Sequence, residues 1–222
     1  NNMAQIVGGF LLPHLPAIPS GVLLDDEAVK GRIYGAFDEI TDRMKALDAD
    51  TAIIIGDDHY ENFGPTCIPR CLIVTGDIDT SAHARTLGMP RQSIPNNGPL
   101  AEHILHSGFE DGIDWAFAKF LGVDHSVAVP YTMTAKKLPG VRIIPVYLNA
   151  VVAPLISNQR ALEVGQSIRR AVESWSGDDR VVIVGTGGIS HWVGSPGMGR
   201  VNEAFDKAIL QMVERGDLSA LV

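Results

Sequence analysis

Short apolar runs ending in glycine, proline or acidic clusters alternate along this chain with longer stretches whose apolar residues recur every three to four positions. The first pattern predicts buried strands, the second amphipathic helices. Ala4–Phe10 (AQIVGGF), Thr51–Ile55 (TAIII), Cys71–Thr75, Val141–Leu148 (VRIIPVYL) and the VVIV that opens Val181–Gly194 read as strands. Pro145 predicts a sheet edge or a bulge for the fourth, because proline cannot donate to a ladder. Asp25–Leu47 carries Val29, Ile33, Phe37, Ile40 and Met44 at helical spacing, with Asp25-Asp26 suited to its start. Pro99–Ser107, Gln159–Trp175 and Asn202–Arg215 read as further helices, as does the stretch through Tyr131 and Met133. Gly216–Ser219 looks like the start of one more, and Trp115–Leu121 is amphipathic. Gly76–Gly98, rich in Pro, Gly, Asn and Asp, predicts a long irregular excursion of the kind that covers a site. Strands alternating with helices predict an α/β domain in three layers, α/β/α, around a mixed, largely parallel sheet.

Composition narrows the function. An apolar content of 45% against 20% charged residues supports a packed core for 222 residues. The net charge of −8 argues against nucleic acid or an anionic membrane as a partner. No apolar run approaches a membrane span. Asn1-Asn2 before Met3 reads as a short remnant with no export signal, and a reducing, cytoplasmic setting is expected. Cys67 and Cys71 lack two further ligands for a zinc knuckle, so they read as ordinary thiols.

The candidate chemistry lies where strands end. VVIVGTGGISHWVG runs from a buried strand through glycines to His191, and crevices in α/β sheets form at such carboxyl ends. It has neither a Gly-Lys-Ser/Thr ending nor G-x-G-x-x-G, which excludes the usual nucleotide loops. His14 stands between Pro13 and Pro16 in a stiff loop after the first strand. His59 follows TAIII in GDDHYE, where an extended backbone puts Asp57 and His59 on one side and Asp58 on the other. A carboxylate beside an imidazole fixes its tautomer at many metal sites. His125 forms another Asp-His pair in the loop GVDHSVAVP. Any one of these would read as an ordinary loop histidine; the set of four points to a shared crevice. His83 reads as a surface residue, and His103 and His106, three apart on a helix face, are assigned no role. A zinc hydrolase has no H-E-x-x-H to support it.

The motifs LLPHLP, GDDHYENF, GVDHSVAVP and GTGGISHWVG, in this order and over nearly the whole chain, resemble the class III extradiol ring-cleavage dioxygenases. These include the catalytic subunit of protocatechuate 4,5-dioxygenase, gallate dioxygenases and 2,3-dihydroxyphenylpropionate dioxygenase. The resemblance implies that His14 and His59 bind non-haem Fe(II), that His191 is the acid–base residue beside the dioxygen site, and that His125 contacts substrate or stabilises the intermediate. Asp57 would support the metal-binding histidine from behind. The family's third ligand is a glutamate in a C-terminal helical segment, which would lie beyond Val222; Glu61 is a weaker candidate within the chain. Residues 1–222 would then form a single catalytic domain without that segment, binding Fe(II) weakly by itself. The implied reaction is meta cleavage of a catechol-type aromatic by O2 to a ring-opened semialdehyde acid. A homo-oligomer or a partner subunit stays open, and so does a non-catalytic binding module of the same superfamily.

Overall fold

A computed structural model describes residues 3–21, 25–86, 88–192, 195–217 and 219–222, apart from the side chains of His83 and Thr86. The surface assignment of His83 and the Val193-Gly194 end of the glycine-rich motif therefore lie outside the described residues. The chain runs β1 (Gln5–Leu12), α1 (Ala17–Ser20), α2 (Glu27–Ala46), β2 (Thr51–Gly56), β3 (Cys71–Thr80), α3 (Ala82–Thr86), β4 (Ser93–Ile94) and α4 (Gly98–Glu110). It continues with β5 (Ala116–Val123), α5 (His125–Met133), a 3-10 turn (Ala135–Lys137), β6 (Arg142–Leu148), α6 (Asn158–Ser174), β7 (Arg180–Thr186) and α7 (Glu203–Arg215).

The sheet order is β1-β7-β2-β6-β3-β4, with β5 on β3. β1, β7, β2 and β6 are mutually parallel, and β3 runs antiparallel to β6. The architecture is therefore the three-layer α/β/α arrangement with a mixed sheet that the strand–helix alternation predicts. Because successive strand residues face opposite ways, Ile54, Val182 and Val184 pack with Phe37 and Met44 of α2 and Val127 of α5. Ile53, Ile144 and Val181 pack on the other face with Leu100 and Ile104 of α4 and Val164 and Ile168 of α6. Asp26 caps α2 by accepting from the backbone N–H groups of Ala28 and Val29 at 2.8 and 3.1 Å.

Three expectations are corrected. β6 is an interior strand in unbroken register with β2, Ile54 opposite Pro145, and is neither an edge nor a bulge. Ile143 turns both its N–H and C=O towards Pro95 and Asn97, so Pro145, two residues on, turns its nitrogen to that same side. There the β3 ladder runs only from Leu148 to Val146, and the missing donor breaks no pairing. Second, Gly76 opens no irregular excursion. β3 continues to Thr80 and pairs with β5 through a register shift between Val74 and Asp77, the kind of irregularity that bends a strand. Third, the described residues of 216–222 form turns, not a helix. Among the described residues no helix is long and apolar enough to cross a membrane.

At the amino ends of the parallel strands the sheet is tied by the buried Asp179. Its carboxylate accepts from Asn97 Nδ2 at 2.7 Å, Arg142 Nη2 at 2.8 Å and Trp175 Nε1 at 2.7 Å. Asp179→Ala leaves Arg142 and two amide or indole donors without their acceptor. Urea unfolding is expected to show a loss of about 1–3 kcal/mol from the stranded donors, with metal binding in the surviving folded fraction unchanged because this cluster lies at the opposite strand ends from the histidines.

Candidate metal centre

The carboxyl ends of β1, β2 and β7 are adjacent, and each opens into a histidine-bearing loop. The β1 and β7 ends are joined by Gly187 N–H donating to Leu12 O at 2.9 Å. His14 follows, and its Nδ1 lies 3.1 Å from the hydroxyl of Thr186, the last residue of β7. After β2, the Asp58 carboxylate accepts from Asn62 N–H, Asn62 Nδ2 and Phe63 N–H. That turn holds His59 in place and forces Tyr60 to φ 61°, a conformation uncommon outside glycine.

His125 arrives by another route. Its strand, β5, runs against the β1/β7/β2/β6 direction, so the shared-edge argument does not deliver it. The bent β3–β5 pair carries it instead, as the first residue of α5 rather than a loop residue. The three rings meet: centroids are 4.8 Å apart for His14 and His59, 5.5 Å for His14 and His125, and 4.3 Å for His59 and His125. One ring nitrogen from each lies within 4.8 Å of the others.

Sequence neighbours suggested that each Asp-His pair would serve itself. The fold exchanges them. Asp124, next to His125, accepts from Nδ1 of His59 at 3.1 Å and from its backbone N–H at 3.3 Å. Glu61, two residues from His59, accepts from Nδ1 of His125 at 2.6 Å and from its backbone N–H at 3.3 Å. Asp57 stands 3.9 Å from Nε2 of His59, beyond hydrogen-bond reach, so the tautomer of His59 is fixed by Asp124. Glu61 is not gathered with His14 and His59; the groups found among the described residues are His14-His59-His125 and Glu61-Asp124-His125. Asp124 is fixed in turn by Ser126 Oγ at 2.7 Å, and its own N–H donates to Tyr147 Oη at 3.2 Å.

All three imidazoles thus have Nδ1 engaged, and among the described residues none has a hydrogen bond at Nε2, the arrangement that orients histidines towards a metal. These residues fit a divalent cation, and imidazole donors suit first-row transition metals. Thr186 and Ser126 were not singled out from the sequence, and Asp124 was paired there with His125, not with His59. The visible signals were a threonine closing a strand before Gly-Gly and the Asp-x-Ser pattern at a helix start.

Burial, together with the neighbouring His59, His125 and His191, lowers the pKa of His14 from 6.5 to about 4, against the opposing pull of Asp124. Burial would also lower His59, but the hydrogen bond to Asp124 and the charges of Asp57 and Asp124 outweigh it and raise the value. Burial pushes Asp124 up; its bonds from His59 and Ser126 and the neighbouring imidazoles win and lower it. His14 is therefore neutral at pH 7, ready to donate. In the metal-free protein, the unfolded chain binds the extra proton between pH 6.5 and about 4. The His14 contribution is present above pH 6.5 and lost as pH falls towards 4, a decline of about 2–3 kcal/mol. Urea midpoints across that window should fall for the wild type and fall less for His14→Gln.

His191 is exposed and lines, with His14 and His59, a crevice of about 1000 Å³ walled by Leu11, Ile55, Leu148, Val151 and Ile189. A Cβ on Gly188 would come 3.1 Å from the His191 ring, so glycine leaves that imidazole its room. His191 lines the crevice but is not among the three clustered rings. His103 bonds Ser174 on the far helices at 3.0 Å.

A mixed-sheet α/β domain that gathers three histidines, two of them backed by carboxylates and one by a threonine hydroxyl, defines a candidate metalloenzyme. The chain belongs to the family described as the catalytic LigB subunit of aromatic ring-opening dioxygenase, whose model matches residues 8–222. It is similar to a 2,3-dihydroxyphenylpropionate/2,3-dihydroxicinnamic acid 1,2-dioxygenase of Klebsiella pneumoniae (strain 342), 29% identical over 180 residues, covering 81% of this chain and 55% of that protein. A protein of the same description from Photorhabdus laumondii is 25% identical over 189 residues (83% and 56%). One from Escherichia coli (strain K12 / DH10B) is 28% identical over 185 residues (81% and 55%). The chain spans about half the length of these relatives.

Proposed function

We propose that this chain carries the Fe(II) site of an extradiol dioxygenase that opens the ring of a catechol-type diol with O2, giving a semialdehyde acid. The observation that supports this best is the His14-His59-His125 cluster, each Nδ1 engaged, with His14 and His59 opening onto an apolar crevice. His14 and His59 hold the metal in this reading, and a carboxylate from beyond Val222 takes the third position, as the family likeness implies. A ferrous ion held there would supply Lewis acidity to the diol and a redox link between the diol and dioxygen.

The remaining work belongs to the protein's own side chains. Leu11, Ile55, Leu148 and Val151 receive the faces of the aromatic ring and exclude water from it. His14, neutral at pH 7, donates without first losing a proton. Asp124 holds His59 in the Nδ1–H tautomer, leaving Nε2 for the cation. His191, at the open side of the crevice, accepts the diol proton and returns it to the developing product, a task suited to an imidazole. His125 meets the substrate oxygens beside the metal. The partners in this reading are a small diol and O2 in a cytoplasmic setting.

A non-catalytic binding module is the second reading, favoured by one observation: no carboxylate is gathered with His14 and His59 among the described residues. Anaerobic loading with Fe(II), followed by a panel of catechols and air, separates the two. Dioxygen uptake with a yellow ring-fission product supports the enzyme. Every diol left colourless, with no dioxygen uptake, supports the module.

A further inference from the structure

Glu61 has no part in that scheme, yet its side chain is fully buried. One carboxylate oxygen accepts from the hydroxyl of Ser81, which itself accepts from Ala84 N–H at 2.8 Å. The other accepts from both the ring Nδ1 and the backbone N–H of His125. The carboxylate also stands at the amino end of the nine-residue α5, where the helix dipole favours negative charge. Held from three sides, it has little freedom to turn.

An ionised carboxylate only accepts, so the hydrogen shared across 2.6 Å belongs to Nδ1. The opposite tautomer would set two acceptors against each other at that distance. The geometry points to Glu61 as the positioning residue of His125: it fixes the Nδ1–H tautomer and leaves the Nε2 lone pair as the acceptor facing the His14–His59 cluster. Within the ring-opening reading, on which this consequence rests, that lone pair receives the hydrogen bond of a diol hydroxyl beside the metal. Asp124 does the same for His59, whereas His14 is backed by a threonine hydroxyl, which can donate or accept. The rival account is a bond that merely ties the β2–β3 loop to α5.

The test is nitrogen-15 spectroscopy of the metal-free, histidine-labelled full chain, with His125 assigned through His125→Gln. The expected wild-type pattern is a protonated Nδ1 and an unprotonated Nε2. Glu61→Ala should move His125 towards the Nε2–H form, and Glu61→Gln, whose amide oxygen still accepts, should restore Nδ1–H. Ring-opening kcat/KM of Glu61→Ala should drop about 10- to 100-fold and recover in Glu61→Gln. An Nε2–H ring in the wild type, or a tautomer indifferent to Glu61→Ala, overturns the assignment. The wild-type spectrum decides even if Glu61→Ala does not fold. Because the spectra need neither metal nor turnover, a failure to open rings leaves the tautomer result standing, and the reverse holds as well.

Discussion

His14→Ala is expected to weaken binding of a divalent metal about 100-fold in anaerobic calorimetry. Structural zinc sites with four protein ligands bind with about 10–16 kcal/mol, a share of about 3 kcal/mol per ligand, and the same share lost here is about two decades in affinity. The backbone around His14 is set by Pro13, Pro16 and the Gly187–Leu12 bond, so the substitution removes a donor without releasing the loop. His191→Ala should leave metal affinity nearly untouched while abolishing turnover, since His191 lines the crevice outside the imidazole cluster. If the two variants lose metal equally, the division between holding the cation and handling protons is wrong.

Gly56→Ala should have the largest combined effect on fold and site. A Cβ there would lie 2.3 Å from Ser126 Oγ and 3.1 Å from Thr186 Oγ1. Those two hydroxyls are the supports of the cluster: Ser126 holds Asp124, and Thr186 holds Nδ1 of His14. Ser126 is fully buried at the start of α5 and has nowhere to recede. Overpacking of this kind costs about 1–3 kcal/mol, and displaced supporting groups lower metal affinity about 10- to 100-fold. Chemical denaturation and metal titration of the same sample check both. A variant with full stability and full affinity would show that these hydroxyls do not position the histidines.

The sequence discloses the fold where burial is two-sided. TAIII and VVIV face helices on both sides, so their apolar runs leave no ambiguity, and Asp26 marks the start of α2 as its capping chemistry requires. It discloses less where pairing, not burial, sets the structure. The second half of β3, Gly76–Thr80, alternates partly exposed and buried residues and contains glycine and two aspartates, so it resembles a loop. Pro145 lies in the middle of the sheet because the β3 ladder stops one residue short of it, a fact of register that no local pattern carries.

The site divides along the same line. Histidines following parallel strands are visible as candidates because topology sends those strand ends to one edge. Their supporting partners are not, since Asp124 and Glu61 each serve the histidine remote in sequence. Proximity along the chain pairs Asp124 with His125 and Asp57 with His59. Only the bend of the β3–β5 ribbon, which sets α5 against Gly56, exchanges them.

The central claim is that imidazoles from separate strand ends hold one metal ion. Crystals grown from this chain, soaked anaerobically with Fe(II) and measured at the iron absorption edge, test it most directly. A single anomalous peak within bonding distance of Nε2 of both His14 and His59 is the predicted result. A crevice without a peak, or iron bound through surface groups such as His103 and His106 instead, would contradict it.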